Sequence, residues 1–139
     1  MIVKIKKLNE KAVVPFYSKF GDAGMDLVAT SKEDTEKYIE FGIGWAIEIP
    51  LGYVGLIFPR SSISNYYLDL ANAVGVIDSG YRQEIKVRFR KLIGHDEATI
   101  YKIGDKVAQL IILPYPQIVL DVSDELSLTN RTGGFGSTG

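Results

Sequence analysis

The chain has 139 residues and no cysteine, which allows one domain large enough to bury a core and excludes a disulfide framework and thiolate chemistry. Sixteen basic residues against seventeen acidic ones leave a net charge of −1, without the basic excess of a protein that tracks a long polyanion, so no nucleic-acid polymer is expected as a partner. No apolar run is long enough to span a bilayer and the first residues do not resemble a signal peptide, so no membrane is expected either. Lack of cysteine suits a reducing cytoplasm.

The predicted elements are short strands separated by frequent turns. Residues 2–7 alternate apolar with basic positions, as a strand does. Strands are expected over 45–49, ending at Pro50, and over 53–58, ending at Pro59. At most one short helix is expected, after Ser61-Ser62. Residues 84–90 alternate, with Ile85, Val87 and Phe89 on one face. Residues 107–113 are apolar except for Gln109 and predict a strand buried on both faces, and 117–122 is a further candidate strand. Turn signals recur at Gly42-Ile43-Gly44, Leu51-Gly52, Asp78-Ser79-Gly80, Ile93-Gly94-His95-Asp96 and Gly104-Asp105. This rhythm implies an all-β barrel or sandwich of the jelly-roll type. Two regions are expected: a β domain over 1–130 and a glycine-rich arm over 131–139.

Several segments carry residue types suited to chemistry. In Asp22-Ala23-Gly24-Met25-Asp26-Leu27, small residues precede an acid at a strand start; Asp26 is either a turn acid or a residue that orients water around a hard cation. In Pro59-Arg60-Ser61-Ser62-Ile63-Ser64, the guanidinium of Arg60 suits phosphate oxygens and the serines offer hydroxyls and amides; alternatively Arg60 is a surface residue and Ser62 caps a short helix. Residues 72–84 read as a hairpin that presents Asp78 and Tyr81 at its tip, with the Asn72 amide suited to a pyrimidine edge. An Asx-turn at Asp78 with Tyr81 as a packing residue is the plainer alternative. Gln109, an amide within an apolar strand, must be hydrogen-bonded if buried, to protein or to ligand.

The arm Arg131-Thr132-Gly133-Gly134-Phe135-Gly136-Ser137-Thr138-Gly139 has no core-forming aliphatic and cannot order itself. Glycine amides with Ser and Thr hydroxyls form an anion-binding nest. It is not a P-loop, because no lysine follows the second glycine and no helix can follow. Phe135 is suited to stacking on a base, so the segment reads as a nucleotide lid ordered by ligand.

Taken together and in order, the segments at 22–27, 59–62, 75–84, 104–111 and 131–139 resemble the five motifs of the trimeric dUTPase family, across essentially the whole chain. The resemblance implies a distorted jelly-roll homotrimer that hydrolyses dUTP to dUMP and pyrophosphate with Mg2+, each active site shared among three subunits. It implies Asp78 as the base that activates the attacking water, and Arg60, Ser61, the Ser62 amide and Gln109 along the triphosphate. Tyr81 would pack under the deoxyribose, Asn72 with the backbone of Gly75 and Ile77 would read uracil, and Asp26 would hold magnesium through water. Arg131, Phe135, Gly136, Ser137 and Thr138 would close over base and γ-phosphate. Two positions depart from the family pattern. Gln83 stands where glycine is usual, which predicts an altered hairpin turn, and Arg131 lies one residue nearer Phe135 than is common.

Alternatives on the same fold are a dCTP deaminase-like enzyme and a non-catalytic nucleotide-binding regulator. The deaminase family carries a catalytic glutamate where this chain has Arg88, which cannot act as an acid or base. His95 lies in a turn-like segment and is expected to be a solvated loop residue, neither a triad member nor a metal ligand.

Overall fold

A computed structural model describes residues 1–131, 133 and 134. Among these, ten strands and one 3-10 helix are formed. The strands are β1 (Lys4–Lys7), β2 (Met25–Val28), β3 (Ser31–Asp34), β4 (Ile39–Gly42), β5 (Trp45–Glu48), β6 (Tyr53–Phe58), β7 (Leu68–Leu70), β8 (Gly75–Ile77), β9 (Lys86–Lys91) and β10 (Lys106–Pro114). The helix spans Ser61–Asn65, as the sequence predicts. No helix among the described residues is long and apolar enough to cross a membrane.

Two four-stranded antiparallel sheets, ordered β2-β10-β6-β8 and β3-β4-β9-β7, share one core, and β1 pairs with β5 in a two-stranded ribbon. From β6 to β10 each successive strand enters the opposite sheet, which gives the jelly-roll character expected from the sequence. The alternation in β9 has its predicted consequence: Val87 and Phe89 are buried, and Lys86, Arg88 and Arg90 face outward. Leu27, Ile57 and Leu110 from one sheet meet Ile39, Phe41, Leu68 and Phe89 from the other. The turns at Gly52 and Gly104 use positive φ, 81° and 94°, which glycine adopts without a Cβ penalty.

Three expectations need correction. β8 and β9 lie in different sheets, so 72–84 is not a hydrogen-bonded hairpin: β8 pairs with β6, and residues 78–85 cross to the other sheet. Burial of Ile85, whose amide donates to the Trp45 carbonyl at 2.9 Å, draws the chain across. β10 is buried on both faces only over its first half; Leu113 is exposed. Residues 117–122 form no strand: they pair with no strand among the described residues, and Ile118, Val119, Leu120 and Val122 are 71–98% exposed.

Candidate active site

Strand β10 brings three of the predicted segments together. Gln109 faces Asp26 of β2 on one side and Phe58 of β6 on the other. Its Nε2 donates to the carbonyl of Pro59 at 3.1 Å, so the amide is satisfied within the protein. Gly24 makes room for it: a Cβ there would stand 2.5 Å from Gln109 Oε1.

Asp26 is buried and accepts from three donors. Arg60 Nε donates to Oδ1 at 2.9 Å, while Lys106 Nζ and the Ser18 hydroxyl each donate to Oδ2 at 2.7 Å. Burial alone would raise its pKa, but the hydrogen bonds from Lys106 and Ser18 and the nearby charges of Arg60 and Lys106 outweigh it and hold the carboxyl below its ordinary value. Sequence reasoning gave no role to Lys106 or Ser18, which reach Asp26 only through the pairing of β10 with β2 and the bridge that joins Phe16 to Asp26.

Beyond β6 the chain enters the 3-10 helix with Arg60 extended as its cap. Ser62 does not cap the helix; its hydroxyl instead takes a long contact, 3.4 Å, from Arg60 Nη1. Ser61 is exposed at the first position. Arg60, Asp26 and Gln109 thus lie together, with Ser61 next to Arg60 in the chain.

A second group surrounds the crossing loop. Asn72, Gly75, Ile77 and Tyr81 line a concavity of about 440 Å³ together with Glu40 and Lys86. Asn72 is presented by a tight turn: the amide of Val74 donates to the Asn72 carbonyl at 2.6 Å, and Ala73 takes a positive φ of 60°, an uncommon conformation for a residue with a Cβ. Gly75 lets the backbone lie against β6, since a Cβ there would meet Ile57 at 3.1 Å.

Asp78 is exposed and lines a separate recess of about 260 Å³ with Tyr53, Ser79 and Tyr115. Its backbone carbonyl accepts from the amide of Tyr81 at 3.0 Å, a backbone turn and not an Asx-turn. The Tyr81 hydroxyl donates to the Glu84 carbonyl at 2.9 Å, and the Glu84 carboxylate accepts from the Gly44 amide at 2.9 Å, anchoring the loop to the β4–β5 turn. Gln83 does not have positive φ, so the backbone there is one that a side chain tolerates.

Glu40 is the other buried carboxylate, and the sequence gave no sign of it. It sits across from Arg88 and binds Arg88 Nε and Lys86 Nζ, each at 2.6 Å. Burial raises its pKa, but the hydrogen bonds and charges of Lys86 and Arg88 bring it below the ordinary value. Arg88 also stacks 4.3 Å from the centre of the Tyr38 ring. The carboxylate nearest the deaminase position is therefore committed to an ion-pair network. His95 is exposed in its loop, its Nδ1 2.9 Å from the Leu92 carbonyl.

One chain does not unite the two groups. Ile77 faces Gly55 near the start of β6, whereas Arg60 lies beyond Phe58 at the other end. At ~3.3 Å per residue, Asp78 and Arg60 are roughly 15–20 Å apart. Arg131 is exposed and its Nε donates to the Gly133 carbonyl at 3.2 Å. Phe135, Gly136, Ser137 and Thr138 lie outside the described residues.

The family model described as dUTPase matches residues 10–139. The deoxyuridine 5'-triphosphate nucleotidohydrolase of Syntrophotalea carbinolica is 39% identical over 146 aligned positions, covering 99% of this chain and 96% of that one. The dUTPase of Staphylococcus bacteriophage 80alpha, solved with dUPNHPP, superposes with a TM-score of 0.83 at 25% identity, covering 99% and 98% of the two chains. A point mutant of the dUTPase of phage phi11 of S. aureus, solved to describe the coordination of a structural Mg(II) ion, gives 0.75 at 26% identity, covering 90% and 98%. By sequence over nearly its whole length and by fold, the chain belongs to the dUTPase family.

Proposed function

We propose that this chain hydrolyses dUTP to dUMP and pyrophosphate in the cytoplasm, limiting dUTP and supplying dUMP for dTMP synthesis, as a homotrimer whose active sites are shared between copies. The observation that carries the reading is the placement of Asp26, Arg60 and Gln109 together beyond one end of β6 and of the Asn72 concavity and Asp78 near the other, groups suited to phosphate and to nucleoside respectively. Both are built, and the distance between them within one copy is too great for one substrate molecule to use them together. A neighbouring copy closes that gap. Exposed aliphatic side chains from Ile118 to Leu128 supply apolar surface suited to such assembly.

In the assembled site Asn72 and the backbone of Gly75 and Ile77 receive uracil, and Tyr81 lies under the deoxyribose, where a ribose 2′-hydroxyl would meet its ring. Arg60, Ser61, the Ser62 amide and Gln109 hold the triphosphate. Asp78 takes a proton from water as the water oxygen bonds to the α-phosphorus. The bond from that phosphorus to the bridging oxygen breaks, and pyrophosphate leaves with the electron pair. Arg131, Phe135, Gly136, Ser137 and Thr138, in the 131–139 arm, close over base and γ-phosphate.

The described residues contain no group of three or more His, Cys, Asp or Glu side chains placed to hold an ion directly. A divalent cation carried by the triphosphate suits the site better. A carboxylate accepts about four hydrogen bonds, so Asp26, with three partners, keeps room for one more donor such as a metal-bound water. When bound, Mg2+ neutralises charge on the phosphates.

The test is pyrophosphate release with magnesium, measured separately for dUTP, dTTP, UTP and dCTP. The proposal expects turnover of dUTP alone; an inert dUTP, or UTP cleaved equally well, contradicts it.

A further inference from the structure

Tyr81 lies where the chain crosses between the sheets, and its ring is 37% exposed, so packing within the chain leaves it free to change rotamer. Its hydroxyl ties it down by donating to the Glu84 carbonyl at 2.9 Å. The direction of that carbonyl is itself fixed. In a planar trans peptide the C=O and the following N–H point opposite ways, and the Ile85 amide donates to the Trp45 carbonyl at 2.9 Å. The Glu84 carbonyl is therefore turned away from Trp45 and towards Tyr81.

Glu84 is held a second time, through its side chain. Its Oε1 accepts from the Gly44 amide at 2.9 Å, across 40 residues of chain. Gly42 makes the space for this oxygen: a Cβ there would stand 2.5 Å from Glu84 Oε1 and 2.5 Å from Ser31 Oγ. The β4–β5 turn that receives the carboxylate is anchored in its turn. The Thr30 amide donates to the Gly42 carbonyl and the Leu8 amide to the Gly44 carbonyl, each at 2.8 Å. Any oxygen in reach would satisfy the Gly44 amide; here the residue that does so also carries the carbonyl that Tyr81 binds.

We infer that Glu84 is a positioning residue for sugar discrimination: its carboxylate, seated against Gly42 and Gly44, fixes the carbonyl that holds the Tyr81 ring where a ribose 2′-hydroxyl is excluded. With the carboxylate removed, residue 84 keeps only the anchor at Ile85, the preceding loop is released, and the ring no longer meets the sugar at a set angle. This rests on the place given to Tyr81 under the deoxyribose in the proposed function.

The test measures, in the full chain with magnesium, the ratio of dissociation constants for dUPNHPP and its ribose counterpart, beside the thermal midpoint. Glu84→Ala lowers the midpoint whatever its role, because the Gly44 amide loses its acceptor; the ratio decides. It should fall about three- to tenfold, the effect of one hydrogen bond. Glu84→Gln keeps an oxygen that accepts and should retain the parental ratio. Gly42→Ala leaves Glu84 in the chain but puts a methyl where its Oε1 sits, so it should reproduce the loss of Glu84→Ala. Tyr81→Phe should lose the same factor, with no further loss when combined with Glu84→Ala. A lowered midpoint with the parental ratio in Glu84→Ala would make Glu84 merely structural and overturn the inference, as would a Glu84→Gln chain that behaves like Glu84→Ala. A parent chain that prefers dUPNHPP yet leaves dUTP intact overturns the proposed reaction alone, and the ratio still decides the role of Glu84. A parent chain that binds both analogues equally overturns the place given to Tyr81, and the inference with it.

Discussion

Asp26 and Glu40 are buried carboxylates, each neutralised by two cations. Because the folded chain lowers both pKa values, each contributes stability that is complete above its ordinary value, 3.8 for Asp26 and 4.5 for Glu40, and is lost as pH falls through the lower folded value. Thermal unfolding across pH is therefore expected to give a level midpoint from neutrality to about pH 5 and a decline below about pH 4. Glu40→Gln leaves Lys86 and Arg88 facing each other without a counterion. With those partners half exposed, the loss at neutral pH is about 1–2 kcal/mol, and the decline in acid becomes shallower. A variant as stable as the parent, with the same acid limb, would show that the network contributes nothing. Asp78 is different: it is exposed and structurally idle, so Asp78→Asn should leave the thermal midpoint unchanged and dUPNHPP binding largely intact. Turnover should drop roughly 10²–10⁴-fold, as expected for loss of a general base. Unchanged turnover would remove Asp78 from the chemistry.

At the scale of elements, legibility followed locality. Strands β9 and β10 declare themselves because their apolar patterns lie within a few residues. Strand β4 does not: Ile39, Glu40, Phe41 and Gly42 are all buried, and an acid in that position reads as a solvated turn until Lys86 and Arg88 arrive from the neighbouring strand. The loop at 72–84 is visible in its residues but not in its topology, since nothing local says that β9 will cross to the other sheet. Likewise Asp26 and Arg60 were readable as a motif, whereas Lys106 and Ser18 join that site only through strand pairing. The arm carries its own prediction. None of residues 131, 133 and 134 belongs to the buried core, and the segment 131–139 has no core-forming aliphatic, so its removal should move the thermal midpoint by no more than about 2 °C. Most dUTP hydrolysis should be lost. An unfolded truncated chain would make the arm structural and end its reading as a lid.

The whole molecule poses the question of what completes a site that one chain only half builds. Sheet β2-β10-β6-β8 holds the phosphate-receiving group at one end of β6 and the loop with Asp78 near the other. Folding alone cannot shorten that distance, because β6 is a rigid central strand paired on both sides. The proposed function therefore requires association. The most direct measurement is complementation between two inactive variants, Arg60→Ala and Asp78→Asn, unfolded and refolded together. Random mixing should return about a quarter of the parental dUTP-hydrolysing activity, since each site then draws an intact phosphate group and an intact Asp78 from different copies with even odds. A mixture as inactive as its two components would contradict the shared site.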